Sequence, residues 1–325
     1  MGSSMQVGMV VIGRNEGERL KTCLRSIPNG IPIVYVDSGS DDGSVDFAES
    51  IGVSVVTLDV TKKFTAARAR NAGWRRLLEE FPSLEYVQFS DGDCELQPDW
   101  IAEAKAFLDS NPSYAIACGR RRERYPEKSP YNWICDVEWN TPVGDARACG
   151  GDALIRTDVL RRVDGFLDSL VAGEEPEMCI RIAEAGYSIR RLDLEMTLHD
   201  ANIHHFGQWW KRSVRCGFAY ANGASLHGKT HKHWVKEKVR ALVWGALLPM
   251  LTVAAVLTVG WYGLLLPLIY AVSFFRSVRK APSNIDKPFL WAAFMVLSKF
   301  PESIGVIQFY WQKMRGTQAQ IIEYK

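Results

Sequence analysis

Tyr86-Val87-Gln88-Phe89-Ser90-Asp91-Gly92-Asp93 decides how this chain is read: an apolar run stops in two carboxylates placed one residue apart. In an extended strand, residues i and i+2 project to the same side. Asp91 and Asp93 can therefore meet one hard cation, which favours oxygen ligands. Gly92 between them leaves space for a diphosphate to approach the backbone. Alone, an Asp-x-Asp serves equally well as a turn or as a cap for the helix that Gln97-Pro98-Asp99 opens.

The segments before it follow one pattern. Val7 to Ile12 reads as a short buried strand, and Arg19 to Ser26 as a helix with Leu20, Cys23, Leu24 and Ile27 at helical spacing. Ile33 to Val36 reads as a second strand, closed by Asp37-Ser38-Gly39-Ser40-Asp41-Asp42-Gly43, where Asp42 and Ser44 suit the caps of the next helix. A strand at Val53 to Leu58 and a helix at Ala66 to Glu80 lead back to the quoted run. Alternating strands and helices predict an α/β, doubly wound, mostly parallel sheet with helices on both faces. Ligands of such sheets bind beyond the carboxyl ends of the strands, where Asp37 and Asp91 both fall.

The segments after it continue the alternation. A helix to about Ser110 precedes a strand at Ala115 to Gly119, and Arg120 to Arg124 carries four arginines. A Pro-, Tyr- and Trp-rich stretch then runs to Pro142. Ala153 to Arg156 reads as a strand, Pro176 to Ala185 as a helix and Tyr187 to Leu192 as a final strand. Glu174, Glu175 and Glu177 crowd the start of that helix behind Gly173. A helix N-terminus favours acids, but three within four residues exceed what capping needs.

Net charge is +2, which argues against a nucleic-acid partner. The seven cysteines are scattered without a Cys-x-x-Cys, so neither a zinc site nor a disulfide framework is expected, and a reducing compartment fits. The chain enters a strand-like run directly, so no signal peptide is expected; Met1 to Ser4 is set aside.

Ala241 to Phe275 contains no charged residue over 35 positions. One straight helix of that length, at about 1.5 Å per residue, would overrun a hydrocarbon core of ~30 Å. Gly260-Trp261-Tyr262-Gly263 near its middle predicts a turn, hence a helical hairpin whose outer ends are basic, placing both on the cytoplasmic side. Phe289 to Trp311 predicts one or two interfacial helices, with Trp291, Tyr310 and Trp311 suited to a headgroup layer. The alternative cover for the apolar pair is another copy of the chain, in a soluble homo-oligomer.

Val10-Val11-Ile12-Gly13-Arg14-Asn15-Glu16, Val36-Asp37-Ser38-Gly39-Ser40-Asp41-Asp42-Gly43-Ser44, Ala69-Arg70-Asn71-Ala72-Gly73, Asp91-Gly92-Asp93 and Gly173-Glu174-Glu175-Pro176-Glu177 form an ordered set over about Val7 to Gly223. The set resembles family 2 glycosyltransferases of the GT-A fold. The apolar tail is similar, more loosely, to the membrane-attachment region of bacterial members that act on lipid-linked or polysaccharide acceptors. The resemblance implies an inverting transfer of a sugar from a nucleotide-sugar, UDP- or GDP-linked, assisted by Mg2+ or Mn2+. It implies metal ligation by Asp93 and Asp91, with His199 as a third ligand and His204 and His205 as rivals. It places Asp37, Ser38, Arg70, Asp91 and Arg14 around the donor nucleotide. Many members carry a second acid where this chain has Ser38. The general base would be Glu175, where the family carries an aspartate, with Glu174 as the alternative.

Phe206-Gly207-Gln208-Trp209-Trp210-Lys211-Arg212-Ser213-Val214-Arg215 resembles a Gln/Arg-x-x-Arg-Trp segment of membrane-linked members; its aromatics suit sugar faces, or equally a membrane-surface helix. Tyr131, Trp133 and Trp139 would shape an acceptor groove. The implied organisation is a catalytic domain over 5–229 and a membrane-associated helical region over 230–325, at the cytoplasmic face of the inner membrane. Two other classes compete. A nucleotidyltransferase would need a Gly-rich basic loop after the first strand, which Gly13-Arg14-Asn15-Glu16 is not. A catalytically inactive nucleotide-sugar-binding scaffold would keep the fold and lose turnover.

Overall fold

The computed structural model describes residues 6–62 and 64–316. Nine strands form one sheet: β1 (Val7–Gly13), β2 (Ile33–Asp37), β3 (Ser54–Thr57), β4 (Tyr86–Asp91), β5 (Cys94–Leu96), β6 (Tyr114–Glu123), β7 (Gly144–Ala146), β8 (Ala153–Arg156) and β9 (Ser188–His199). The order is β3-β2-β1-β4-β8-β6-β9-β5, with β7 on β9. The half containing β3, β2, β1 and β4 is parallel, as the alternation predicts. In the other half, β8 runs antiparallel to β4 and β6, while β6 and β9 are parallel. The sheet is therefore mixed, and the antiparallel β8 carries the Gly150-Gly151-Asp152 segment to the end of β4.

β1 and β2 read as continuous apolar runs because both faces of the sheet are covered. Met9, Val10, Val11, Val34 and Val36 are each fully buried. Each such side chain contributes about 1.5–3 kcal/mol relative to exposure. Gln88, a polar residue inside β4, is satisfied by the Trp100 indole N–H at 2.8 Å. The helix Ala66–Glu80 lies on β1 and β2. Gly73 permits that approach, since a Cβ there would stand 2.3 Å from Val10 Cγ1.

Four elements differ from the sequence reading. β9 continues past Leu192 to His199, and β6 continues past Gly119 to Glu123. Cys94–Leu96 is a short strand held antiparallel on β9, directly after the acidic pair. The Pro-, Tyr- and Trp-rich stretch up to Pro142, read without a regular element, contains the helix Pro130–Trp139.

The chain divides into two compact units: residues through Lys128 with Glu138–Asn202, and Ser129–Val137 with Ile203 onward. The division lies at Asn202, whereas the sequence reading ended the first domain at Lys229. The helix Phe206–His227 groups with the second unit because it packs along the helix Lys299–Met314. Gly217 and Gly305 let those backbones approach: a Cβ on Gly217 would lie 1.9 Å from the Glu302 carbonyl oxygen, and one on Gly305 2.0 Å from that of Val214.

Within the second unit, the helix Val235–Leu242 continues through a wider turn at Val243–Leu247 into Leu248–Val259. Pro249 lacks an N–H and its ring crowds the carbonyl four residues back, which accounts for the widening. Gly260 adopts φ 65°, ψ −145°, a conformation that favours glycine, and a tight turn follows at Gly260–Leu265. The chain then reverses: the Tyr270 hydroxyl donates to the Trp244 carbonyl, and the two rings lie 5.9 Å apart. The charge-free run is thus a hairpin turned at the glycine pair. Its side chains face outward, with Met250, Leu257, Trp261 and Leu264 all exposed. Two helical segments, Val235–Arg279 and Pro288–Met314, are long and apolar enough to cross a membrane.

Candidate active site

Parallel pairing puts the acids of β2 and β4 on one edge of the sheet. Asp37 stands opposite Gly13 and Asp91 opposite Ile12, on strands either side of β1. The two acids are therefore about 10 Å apart across two strand spacings. Asp37 is 1% exposed and organises its own turn. One carboxylate oxygen accepts from the Gly39 and Ser40 amides at 2.8 and 3.0 Å, and the other from the Tyr35 hydroxyl at 3.1 Å. Burial and that carboxylate raise the Tyr35 phenol well above its ordinary pKa. Asn15, at φ 54°, latches the neighbouring turn: its amide donates to Ser40 Oγ and its side chain accepts from the Asp41 amide, both at 2.9 Å. Ser38 is buried beside Asp37, its Oγ without a hydrogen-bond partner among the described residues, and Arg14 is exposed in the turn after β1.

Asp91 joins two arginines. Arg70 donates to one of its oxygens at 2.8 Å, and Arg121 to the other at 3.3 Å. Arg70 also pairs with Glu174 at 2.6 Å, while Arg121 pairs with the fully buried Asp152 at 2.7 Å. Asp152 further accepts from the Asp91 amide and from the Thr197 hydroxyl. Burial would raise the Asp91 carboxyl, but Arg70 and Arg121 outweigh it and hold it below the ordinary carboxylate range. Gly151 closes the cluster: a Cβ there would lie 2.9 Å from Arg70, 3.0 Å from Arg121 and 3.2 Å from Asp91. The Ala-Arg-Asn motif thus places Arg70 inside a charge network. Its Asn71 braces the loop ahead of the glutamates, donating to the Phe166 carbonyl and Asp168 at 2.6 and 2.7 Å.

Asp93 and His199 come together because β5 pairs with β9, Cys94 opposite His199. His199 Nε2 lies 3.3 Å from Asp93 Oδ1, and the ring packs edge-on to Trp139 at 4.6 Å. Glu123 stands opposite His199 on β6 and holds the turn after β9, accepting from the Tyr125 and Ala201 amides. One ligand atom from each of Asp91, Asp93, Cys94 and His199 lies within 4.8 Å of the others. Carboxylates with an imidazole fit Mg2+ or, better, Mn2+; the Cys94 thiol, which burial pushes up in pKa, is a poor ligand for either.

The glutamates divide. Glu174 faces Arg70 and so belongs to the Asp91 network. Glu175 turns toward two cysteines: its Oε1 accepts from the Cys149 backbone amide and, at 3.0 Å, from the Cys179 thiol. Burial raises the Glu175 pKa above the ordinary carboxylate value. Glu177 pairs with Arg181 at 2.7 Å, one helical turn later.

Other expected residues have structural tasks. His205 caps the helix Phe206–His227 in a reciprocal box with Gln208, and His204 donates its amide to the same Gln208. Trp133 is buried, donating to Asp286 at 2.9 Å, and Tyr131 stacks on Trp209, itself 1% exposed; these rings form a core instead of lining a groove. Sequence reasoning missed Arg121, Asp152, Gly151, Cys149 and Cys179. The four-arginine run and Gly150-Gly151-Asp152 were visible signals, but neither says which strand lies beside it.

Residues 9–156 match the family model described as Glycosyl transferase family 2. The glycosyltransferase AglE of Haloferax volcanii is 22% identical over 225 residues, covering 65% of this chain and 71% of its own. A pre-mycofactocin glycosyltransferase of Mycobacterium tuberculosis is 22% identical over 238 residues, covering 69% of this chain and 49% of its own; the chain spans about half the length of that relative. Among solved structures, a mannosyltransferase from Pyrobaculum calidifontis in complex with GDP-Man and Mn2+ superposes with a TM-score of 0.64 at 16% identity, covering 95% of this chain and 88% of that one. The superposition establishes the GT-A fold.

Proposed function

From the match of residues 9–156 to the family model described as Glycosyl transferase family 2, we propose that the chain is a member of that family and transfers a sugar, with inversion, from a nucleoside-diphosphate donor to a hydroxyl of a lipid-linked or polysaccharide acceptor at a membrane. The observation that carries this reading is the convergence at Asp91: two arginines bridge it, and it lies within ligand reach of Asp93 and His199.

Asp93 and His199, with Asp91, would hold Mg2+ or Mn2+; bound there, the cation neutralises the charge that grows on the departing diphosphate. Arg70 and Arg121 keep Asp91 ionised and fixed, so we assign Arg70 to positioning, since both its partners are acids of the site. The turns after β1 and β2, bearing Arg14, Asp37 and Ser38, border the nucleotide. Glu175 takes the proton of the acceptor hydroxyl. A carboxylate raised by burial is a stronger base near neutral pH than an exposed one. The mannosyltransferase bound to GDP-Man and Mn2+ shares this fold and supports a nucleotide-sugar donor.

The outward-facing hairpin supports membrane association. Lys236, Lys238 and Arg240 flank one end, and Arg276, Arg279 and Lys280 the other, which favours the cytoplasmic face. The test is a transfer assay with a panel of nucleotide-sugars, Mn2+ and membrane lipid acceptors. Glu175→Gln should lower kcat about 10²–10⁴-fold while donor binding persists. Wild-type turnover in that variant, or no transfer or hydrolysis with any donor, would contradict the reading.

A further inference from the structure

We propose that the Cys179 thiol and the Cys149 amide are positioning groups for the Glu175 carboxylate; the proposal rests on the reading of Glu175 as the general base. A glutamate side chain has three rotatable bonds, and a base must be held near its target to be effective. Glu175 is held from two directions. Cys179 sits one turn later on the same helix, Glu174–Glu184, and its S–H points back to Oε1 at 3.0 Å. The Cys149 N–H reaches the same oxygen from the segment before Gly150-Gly151. Among the described residues no hydrogen bond engages Oε2, so both donors anchor one oxygen and leave the other to receive a proton.

The second anchor also ties the base to the charge network. Cys149 is two residues from Gly151, whose backbone lies against Arg70, Arg121 and Asp91. The strap Cys149–Gly151 therefore touches Glu175 at one end and the donor side of the site at the other. The two thiols sit together beside the carboxylate: Cys149 Sγ lies 3.7 Å from Cys179 Sγ and 3.5 Å from the Gly150 carbonyl oxygen.

The chemistry of a thiol suits this task. A lysine or arginine at Cys179 would form an ion pair and strip Glu175 of its basicity. A neutral S–H orients the carboxylate with only modest stabilisation of its charge. The charged and titratable groups around Glu175 are Glu174 beside it, Cys149 and Cys179 in contact, and Cys118 on β6. Burial pushes the Cys179 thiol up to about 12, so it remains a donor across the working pH range.

Three variants, assayed as full chains over a pH series, test the proposal. Cys179→Ala should lower kcat about tenfold with both KM values within about twofold of wild type. Losing a donor to the carboxylate raises the Glu175 pKa, so the acid limb of the kcat profile should move to higher pH. Cys179→Ser restores a donor and should recover most of kcat and return the limb. A Cys179→Ala enzyme with wild-type kcat and limb overturns the proposal. So does an equal loss in the serine and alanine variants, or a change confined to KM. Glu175→Gln separates the two levels: if it stays active the general-base reading falls, and if it is inactive while Cys179→Ala is normal, only the positioning role falls.

Discussion

Asp152 is fully buried and Leu257 is 82% exposed; in a fold shaped by water alone the two would trade places. Each inversion has a specific cause. In the sheet unit, the charges of this cluster go inside because each meets a counter-ion: Glu174 with Arg70, Arg70 with Asp91, Asp91 with Arg121, Arg121 with Asp152. An isolated buried carboxylate would instead cost several kcal/mol. In the helical unit, apolar side chains such as Met250, Leu257 and Leu264 stay outside because, among the described residues, little packs over that part of the hairpin. Such a surface is stable where the surroundings are not water. A buried charge is thus explained by its partners, and an exposed leucine by its surroundings.

The largest effect on stability should come from breaking the charge chain at its centre. Arg70→Met removes one buried cation from the buried Glu174 and the partly buried Asp91 and should cost about 3–5 kcal/mol, read as a fall in Tm or in the denaturant midpoint. A loss below about 1 kcal/mol would mean that water reaches Asp91 and Glu174, and the contrast between the units would weaken. The hairpin gives the complementary test. Leu257→Asp should leave Tm nearly unchanged, because the side chain packs against little. Under the membrane reading it should reduce vesicle binding by about 3 kcal/mol, roughly a hundredfold in partitioning. Unchanged flotation with a lower Tm would show that protein covers this face. The smallest effect belongs to Arg122 and Glu195, paired on the surface with both side chains about half exposed. A double-mutant cycle there should give about 0–1 kcal/mol, falling further in high salt.

The sequence made the parallel half of the sheet legible because β1, β2 and β4 are continuous apolar runs ending in Asp and Gly. The hairpin was legible for a similar reason: 35 uncharged residues can reverse only at their glycines. β5 and β7 were not, since three residues carry no period. The extension of β9 to His199 also escaped, although Leu192 to Leu198 alternates apolar and polar residues as a strand does; pairing with β6 and β5 keeps that stretch extended. In the site, Asp37, Asp91, Asp93, Glu174 and Glu175 could be named from their positions at element ends, and His199 only through the family resemblance. Their partners could not: Arg121 and Asp152 meet Asp91 only because antiparallel β8 lies between β4 and β6. Likewise, no spacing in the sequence says that Glu175 turns toward Cys149, 26 residues away.

The central claim is that the acids at the strand ends form one site for a cation and a diphosphate. Thermal shift with GDP and with UDP, each with and without Mn2+, tests it on the wild type and on Asp93→Ala. The account predicts a rise in Tm for at least one nucleotide only when Mn2+ is present, about 2.7 kcal/mol of stabilisation at a hundredfold excess over Kd, and its loss in Asp93→Ala. Equal stabilisation of both proteins, or none in the wild type with either nucleotide, would contradict it.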